Sequence, residues 1–322
     1  MAIIKVPLEL RTRFYSSRAN FVRDICCYPM DAIRPFFKRK TMLERIYDAE
    51  RQNPLDEKLL RFYDWYTPIN LEAPRYLHFD LGVTQDNVGI ACTHASHFVE
   101  RTVTKEGETR TTLVPFIYFD FLGRIEAPKG HEIILEDVVN VVYQFARYGA
   151  YVRLVTFDGF QSVSSIQSLN RDGFTSARLS IQRTANKIIV DPRAENGWRK
   201  ESTEKQYIAA MQSLKDIVYQ TRGSVPNHPY YFREAKGAEY DEKMVKVDHL
   251  PNGTIDMLQA MAGATFNCEN NSYPPVDESE FKGSHTKIED NFYEEHNYSD
   301  LGKSKNEVED SFYKEIEGDY GF

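Results

Sequence analysis

The sequence has little cysteine, no long apolar run and no excess of positive charge, and each lack removes a class of protein. Its 4 cysteines make no framework, since Cys26 and Cys27 are adjacent while Cys92 and Cys268 stand alone. No CxxC pair or Cys/His cluster has zinc spacing, so a disulfide scaffold and a zinc module are both excluded, and the thiols are expected to be reduced and buried. No apolar stretch approaches the ~20 residues of a membrane-crossing helix. The start MAIIKVPLELRTRF has no signal-peptide core, so a cytosolic chain with no membrane partner is expected. There is no GxxxxGK[ST] loop, which excludes a P-loop nucleotide site, and no Gly-Gly pair, which counts against a glycine-rich adenosine motif.

The net charge of −8 argues at first against a nucleic-acid partner. Its distribution removes the objection. Positions 271–322 hold 14 acidic residues against 5 lysines, leaving 35 basic and 34 acidic residues in positions 1–270. The body is near neutral and the acidity sits in a tail, so a local basic patch for DNA remains open.

What is present is a change of period along the chain. Positions 1–70 read as a helical lead-in, with short patterned pieces cut by Pro29, Pro35 and Pro54. From Tyr76 the run YLHFDLG is β-prone, NVGIACTH follows after a polar turn, and 97–104 with 111–121 read as a long hairpin arm. Helical spacing then appears over 133–148 (Ile134, Val138, Val141, Val142, Phe145), with Gly149 as C-cap. A strand over 152–157, a helix over 162–169, a strand over 175–181, a helix over 202–219 capped by Ser202, and a helix over 253–266 complete the order. Three antiparallel strands followed by parallel βα units predict an α/β fold with an RNase H-like mixed sheet flanked by helices, spanning 71–270. The tail, 271–322, lacks periodicity and is expected to be disordered by itself. It carries IEDNFYEE from Ile288 and VEDSFYKE from Val308, one pattern repeated at a spacing of 20 residues.

Three aspartates stand where such a sheet would display them. Asp80 interrupts an apolar first strand. Asp158 ends the run LVTF before Gly159, at the carboxyl edge where α/β sheets place ligands, and Asp256 opens the last helix. A core-strand carboxylate costs several kcal/mol unless it is paired or protonated, and several converging carboxylates repel unless a cation lies between them. Hard oxygen ligands suit Mg²⁺ or Mn²⁺, and two such ions ~3.5–4 Å apart serve phosphodiester hydrolysis. Taken singly, each has a plainer reading: Asp158-Gly159 as a turn, Asp256 as a charge favoured by the helix dipole.

The segments HFDLGVTQDNVGIA, VTFDGFQSVSSIQSLNRDG and KVDHLPNGTIDMLQAMAGA, in this order, resemble the successive signatures of the nuclease domain of tailed-phage large terminases. The resemblance covers about Tyr76 to Phe266. It implies a metal-dependent endonuclease that cuts concatemeric DNA during packaging in the host cytoplasm, with Asp80, Asp158 and Asp256 as the catalytic metal ligands. Asp86 and Asp248 fall within the matched segments as second-rank metal or supporting residues. The implied partners are double-stranded DNA and an ATPase motor, in cis in a longer protein or in trans, with the portal and the small terminase subunit as further possibilities. The missing phosphate loop departs from a complete terminase. Arg124, Lys129, Arg183, Lys187, Arg193, Arg199 and Lys200 are the candidate DNA contacts, each with a solvated loop as the competing reading. The tail repeat, with Phe292, Tyr293, Phe312 and Tyr313 among carboxylates, reads either as a docking segment for another packaging component or as a competitor of DNA phosphates. Two rival activities stay open on the residues alone: an actin- or Hsp70-like ATPase, whose phosphate motif also resembles DLGxTxxxxGIA, and another RNase H-like nuclease such as a Holliday-junction resolvase. Bulky Phe160 and Gln161 after Asp158-Gly159 count against the ATPase.

Overall fold

The computed structural model describes residues 8–16, 34–81, 87–105, 108–127, 131–159, 162–182, 186–202, 208–241, 244–250 and 253–274. Asp86, Lys129, Arg183 and the acidic tail from position 275 onward, with its repeat, lie outside the described residues, while Asn271 belongs to the last helix rather than to the tail. In chain order the elements are α1 (Arg11–Ser16), α2 (Lys40–Ile46), β1 (Tyr47–Gln52), β2 (Leu55–Asp56), β3 (Arg61–Phe62), β4 (Arg75–Leu81), β5 (Val88–Lys105) and β6 (Glu108–Ile125). They continue with α3 (Leu135–Arg147), β7 (Val152–Asp158), α4 (Val163–Arg171), β8 (Ser176–Arg178), β9 (Asn186–Val190) and β10 (Trp198–Ser202). The last are α5 (Ala209–Tyr219), β11 (Gly223–Asn227), α6 (Tyr231–Gly237), β12 (Ala238–Asp241), β13 (Lys246–His249) and α7 (Asp256–Asn271).

A seven-stranded mixed sheet runs in the order β1-β11-β6-β5-β4-β7-β8. Strands β4, β5 and β6 pair antiparallel, and β7 and β8 then add in parallel beside β4. This is the RNase H-like arrangement expected from the sequence. The strands alternate between two apolar layers, as period-2 geometry demands. Leu77, Phe79, Ile90, Phe121, Val155 and Phe157 point to the face covered by α3 and the β2–β3 segment. Tyr76, Ala91, Leu122 and Leu154 point to the face covered by α7, α5 and α2. No described helix is long and apolar enough to cross a membrane.

Several boundaries differ from those expected, each for a local reason. The pieces at 87–94 and 97–104 are one strand, with register shifts at Cys92/Thr93 and Ala95/His97. Gly149 does follow α3 with φ +85°, the left-handed C-cap conformation. Ser202 does not cap α5. It ends β10, opposite Asn186 on β9, and the helix begins at Ala209. Within the stretch read as a helical lead-in, Tyr47–Gln52 forms an edge strand parallel to β11. Polar side chains stitch it on: the Arg51 guanidinium donates to the carbonyls of Phe119 (2.7 Å) and Ser224 (2.8 Å). Asn53 exchanges hydrogen bonds with Leu122 through its side-chain amide (2.8 and 2.9 Å). A half-exposed edge strand of sequence YDAERQ carries no alternating apolar signal, so period analysis misses it.

Candidate functional site

The site begins as a single row across the sheet. Asp158 on β7 lies level with Asp80 on β4, Asp80 with Gly89 on β5, and Gly89 with Arg124 on β6. Neighbouring strands are about 4.8 Å apart, and residues in register point to the same face. Asp80 and Asp158 therefore stand side by side on the α7 face. Gly89 leaves a gap between Asp80 and Arg124, and the first turn of α7 fills it. A Cβ on Gly89 would lie 2.0 Å from the carbonyl oxygen of Asp256. The last helix is thus driven into the sheet where its first residue, Asp256, joins the other two aspartates at one corner. Farther along the same helix Gly263 serves the same close packing, since a Cβ there would sit 2.2 Å from the His78 ring.

The carboxylates of this corner take hydrogen bonds from the protein. Asp158 accepts the N–H groups of Gly159 (2.7 Å) and Ile181 (3.2 Å), and Asp256 accepts the Asn87 side-chain amide (3.2 Å). Burial pushes the Asp158 carboxyl above the usual carboxylate range, and the two N–H bonds and Arg178 only partly offset it. A partly buried carboxylate whose charge is made costly by desolvation gains from a nearby cation, which is the chemistry the donor set fits. Among the described residues no three His, Cys, Asp or Glu side chains close on a common point. The convergence is one of backbone placement, with the Asp158 and Asp256 side chains turned to protein donors.

Asp248 sits on β13, where Lys246 forms a close ion pair with it and the His249 N–H donates to it (2.9 Å). Its neighbour Val247 is bonded twice to the Gln182 side chain (2.7 and 3.1 Å), next to the Ile181 amide that holds Asp158. The hairpin is thereby tied to the Asp158 side of the corner, with Asp248 paired to Lys246 at a half-exposed position.

The candidate basic residues separate into two places. Arg124 belongs to the row itself. Lys187, Arg193, Arg199 and Lys200 belong to the β9–β10 hairpin, which the sequence presents as a polar loop. That hairpin is anchored by Asn271, which receives the Val190 N–H and donates to the Ile188 carbonyl, both at 2.8 Å. Asn271 ends a 16-residue helix that Asp256 begins, so the anchor lies about 22 Å from the aspartate corner. Arg199 is also occupied, 2.6 Å from Glu201 and 3.6 Å from Asp191. The structure does not gather these four cations around the aspartates.

One acid that sequence reasoning missed stands beside Asp256. Glu234, on α6, is 2% exposed. It accepts the Leu258 N–H (2.9 Å) and the Thr254 hydroxyl (3.1 Å), and lies 3.3 Å from Arg124 Nε. Ile255 offers α7 no side-chain cap, so Glu234 caps the helix from another element and fixes the turn that presents Asp256. The segment FREAKG shows only a short polar helix, and the pairing with Arg124 is visible only in three dimensions. Burial pushes the Glu234 carboxyl up to about 7, with Asp256 also raising it against the pull of its hydrogen bonds and Arg124. Because the folded value is raised, stability is fully present below the ordinary carboxylate range and is lost as pH rises through about 7. In chelator, the wild-type melting temperature is expected to fall between about pH 5 and about pH 8 more than that of Glu234→Gln. Parallel profiles would show that Glu234 does not titrate there.

No protein-family model matches the chain, and no curated protein matches its sequence. Among solved structures it is similar to the large terminase nuclease from thermophilic phage G20c, at 12% identity and a TM-score of 0.44 over 72% of this chain and 97% of that one. The same nuclease with bound magnesium gives 14% and 0.42, over 73% and 97%. The large terminase nuclease domain of Thermus phage P74-26 gives 13% and 0.42, over 73% and 98%. The HK97 bacteriophage large terminase gives 12% and 0.40, over 80% of this chain and 48% of that one.

Proposed function

We propose that this chain is a divalent-cation-dependent endodeoxyribonuclease that cuts concatemeric phage DNA during packaging in the host cytoplasm. The observation that carries the reading is the corner itself: two aspartates in register on adjacent strands, and a third pressed against Gly89 by the last helix. Asp80, Asp158 and Asp256 would hold the cations, with Asp248 and Asp86 in support. Two Mg²⁺ or Mn²⁺ ions held there would supply Lewis acidity for phosphodiester hydrolysis. The protein's own part is to fix the ligands. The Gly159 and Ile181 amides set the Asp158 carboxylate, Asn87 steadies Asp256, and Glu234 holds the turn from which Asp256 projects. The partners in this reading are double-stranded DNA and an ATPase motor supplied in cis or in trans.

Plasmid DNA incubated with the purified chain tests the reading. Nicking and linearisation are expected in Mg²⁺ or Mn²⁺, with little sequence preference and a steep loss at high salt, because the contacts fall on phosphates. Cutting that persists in excess EDTA would exclude the cation-dependent mechanism. ATP turnover without DNA would favour the actin-like alternative.

A further inference from the structure

Arg124 closes the row on the side away from Asp158, and its surroundings divide into an inner and an outer half. On the inner half its Nε faces the Glu234 carboxylate and the Thr254 hydroxyl, both at 3.3 Å. Its guanidinium lies 4.1 Å over the Tyr230 ring. Glu234 is buried, so these contacts hold the side chain in one pose. On the outer half, one terminal nitrogen is covered by Glu126, whose side chain is 58% exposed while that of Arg124 is 10% exposed. Tyr230 steadies Glu126 from its hydroxyl at 3.3 Å. Beyond them opens a cavity of about 550 Å³ walled by Lys58, Arg124, Glu126, Glu132 and Tyr230.

An ion pair with a solvated partner is weak, whereas a pre-positioned guanidinium fork matches a phosphate in charge and shape. The inner contacts are built to keep the fork in place, and the outer one is a carboxylate that solvent already reaches. Two strand spacings separate Arg124 from Asp80, about 10 Å. That backbone spacing suits a phosphate flanking the one under attack. We propose that Arg124 binds a backbone phosphate flanking the cut, held ready by Glu234 and Tyr230 and covered in the free protein by Glu126, which the phosphate displaces. The assignment rests on the DNA-cutting reading and adds a built-in competitor to it.

The experiment is equilibrium binding of the full chain to a short labelled duplex in Ca²⁺, over a series of salt concentrations. Glu126→Gln is expected to tighten binding about two- to fivefold at low salt, because it removes the competing carboxylate while leaving the inner contacts intact. Arg124→Gln is expected to weaken binding and to lower the salt slope by about one. Arg124→Gln leaves Glu234 facing a neutral group and risks the fold, so Glu126→Gln carries the decision. Glu132→Gln removes the same charge from the same cavity wall, and Glu132 is not a partner of Arg124, so only a small change is expected. If the wild type binds and Glu126→Gln binds equally or more weakly, or Glu132→Gln tightens binding as much, the assignment is overturned while the DNA reading stands. If the wild type does not bind duplex DNA at all, the DNA reading fails and takes this assignment with it.

Discussion

Gly89→Ala is expected to destabilise the protein by about 3 kcal/mol or more and to remove nearly all cleavage, although it adds a single methyl group. The added Cβ would fall 2.0 Å from the Asp256 carbonyl oxygen, 2.3 Å from its carbon and 2.7 Å from the Met257 nitrogen. All three are backbone atoms of a helix start, so no side chain can swing aside and α7 must lift. That helix buries Met257, Leu258, Met261 and Phe266 against the sheet, so lifting it opens the core as well as the corner. Gly159→Ala is the natural contrast. Its φ of +88° makes alanine strained, but nothing lies within 4 Å of the new Cβ. The expected cost is about 1–2 kcal/mol, with the sheet undisturbed. Urea melts of the two variants check the order. A Gly89→Ala protein that melts like wild type would mean that α7 is not seated on β5.

The second large effect is on chemistry with little on folding. Asp80→Asn, Asp158→Asn and Asp256→Asn are each expected to lower cleavage by orders of magnitude. Asp158 shows why stability moves the other way. Its folded carboxyl is raised by burial, so the stability it allows is fully present below the ordinary carboxylate range and lost as pH rises through the raised value. At neutral pH in chelator the neutral asparagine escapes that cost while giving up one of the two backbone hydrogen bonds. Its melting temperature is expected at or above that of wild type. With Mg²⁺ the ranking shrinks or reverses, since ligand binding at a hundredfold excess over Kd adds about 2.7 kcal/mol to the protein that can bind it. Thermal melts with and without Mg²⁺ read the difference. A large loss of stability in chelator would make that aspartate a structural residue, and wild-type turnover would remove it from the reacting set.

Legibility in the sequence followed the range of the interactions. The β4–β5–β6 meander, β7 and α3 announce themselves because both sheet faces are covered, so their apolar runs are dense and their periods clear. Asp80 and Asp158 stand out for the same reason, as charges inside or ending such runs. Asp256 was legible only through its motif, since an acid at a helix start has an ordinary explanation in the dipole. Missed were elements whose partners are distant or whose signal is polar. Edge strand β1 is held by Arg51 and Asn53 rather than by an apolar face. The β9–β10 and β12–β13 hairpins are too short and too charged to show a period. Glu234 and the requirement for glycine at Gly89 are invisible locally, because each is set by what α7 places against it.

Crystals of the chain grown with Mn²⁺ and measured for anomalous scattering test the central claim most directly. The account predicts manganese at the aspartate corner, coordinated by carboxylate oxygens of Asp80, Asp158 and Asp256, and no such signal in the Asp158→Asn protein. Manganese bound elsewhere, or a corner that stays free of it at saturating concentration, would contradict the account.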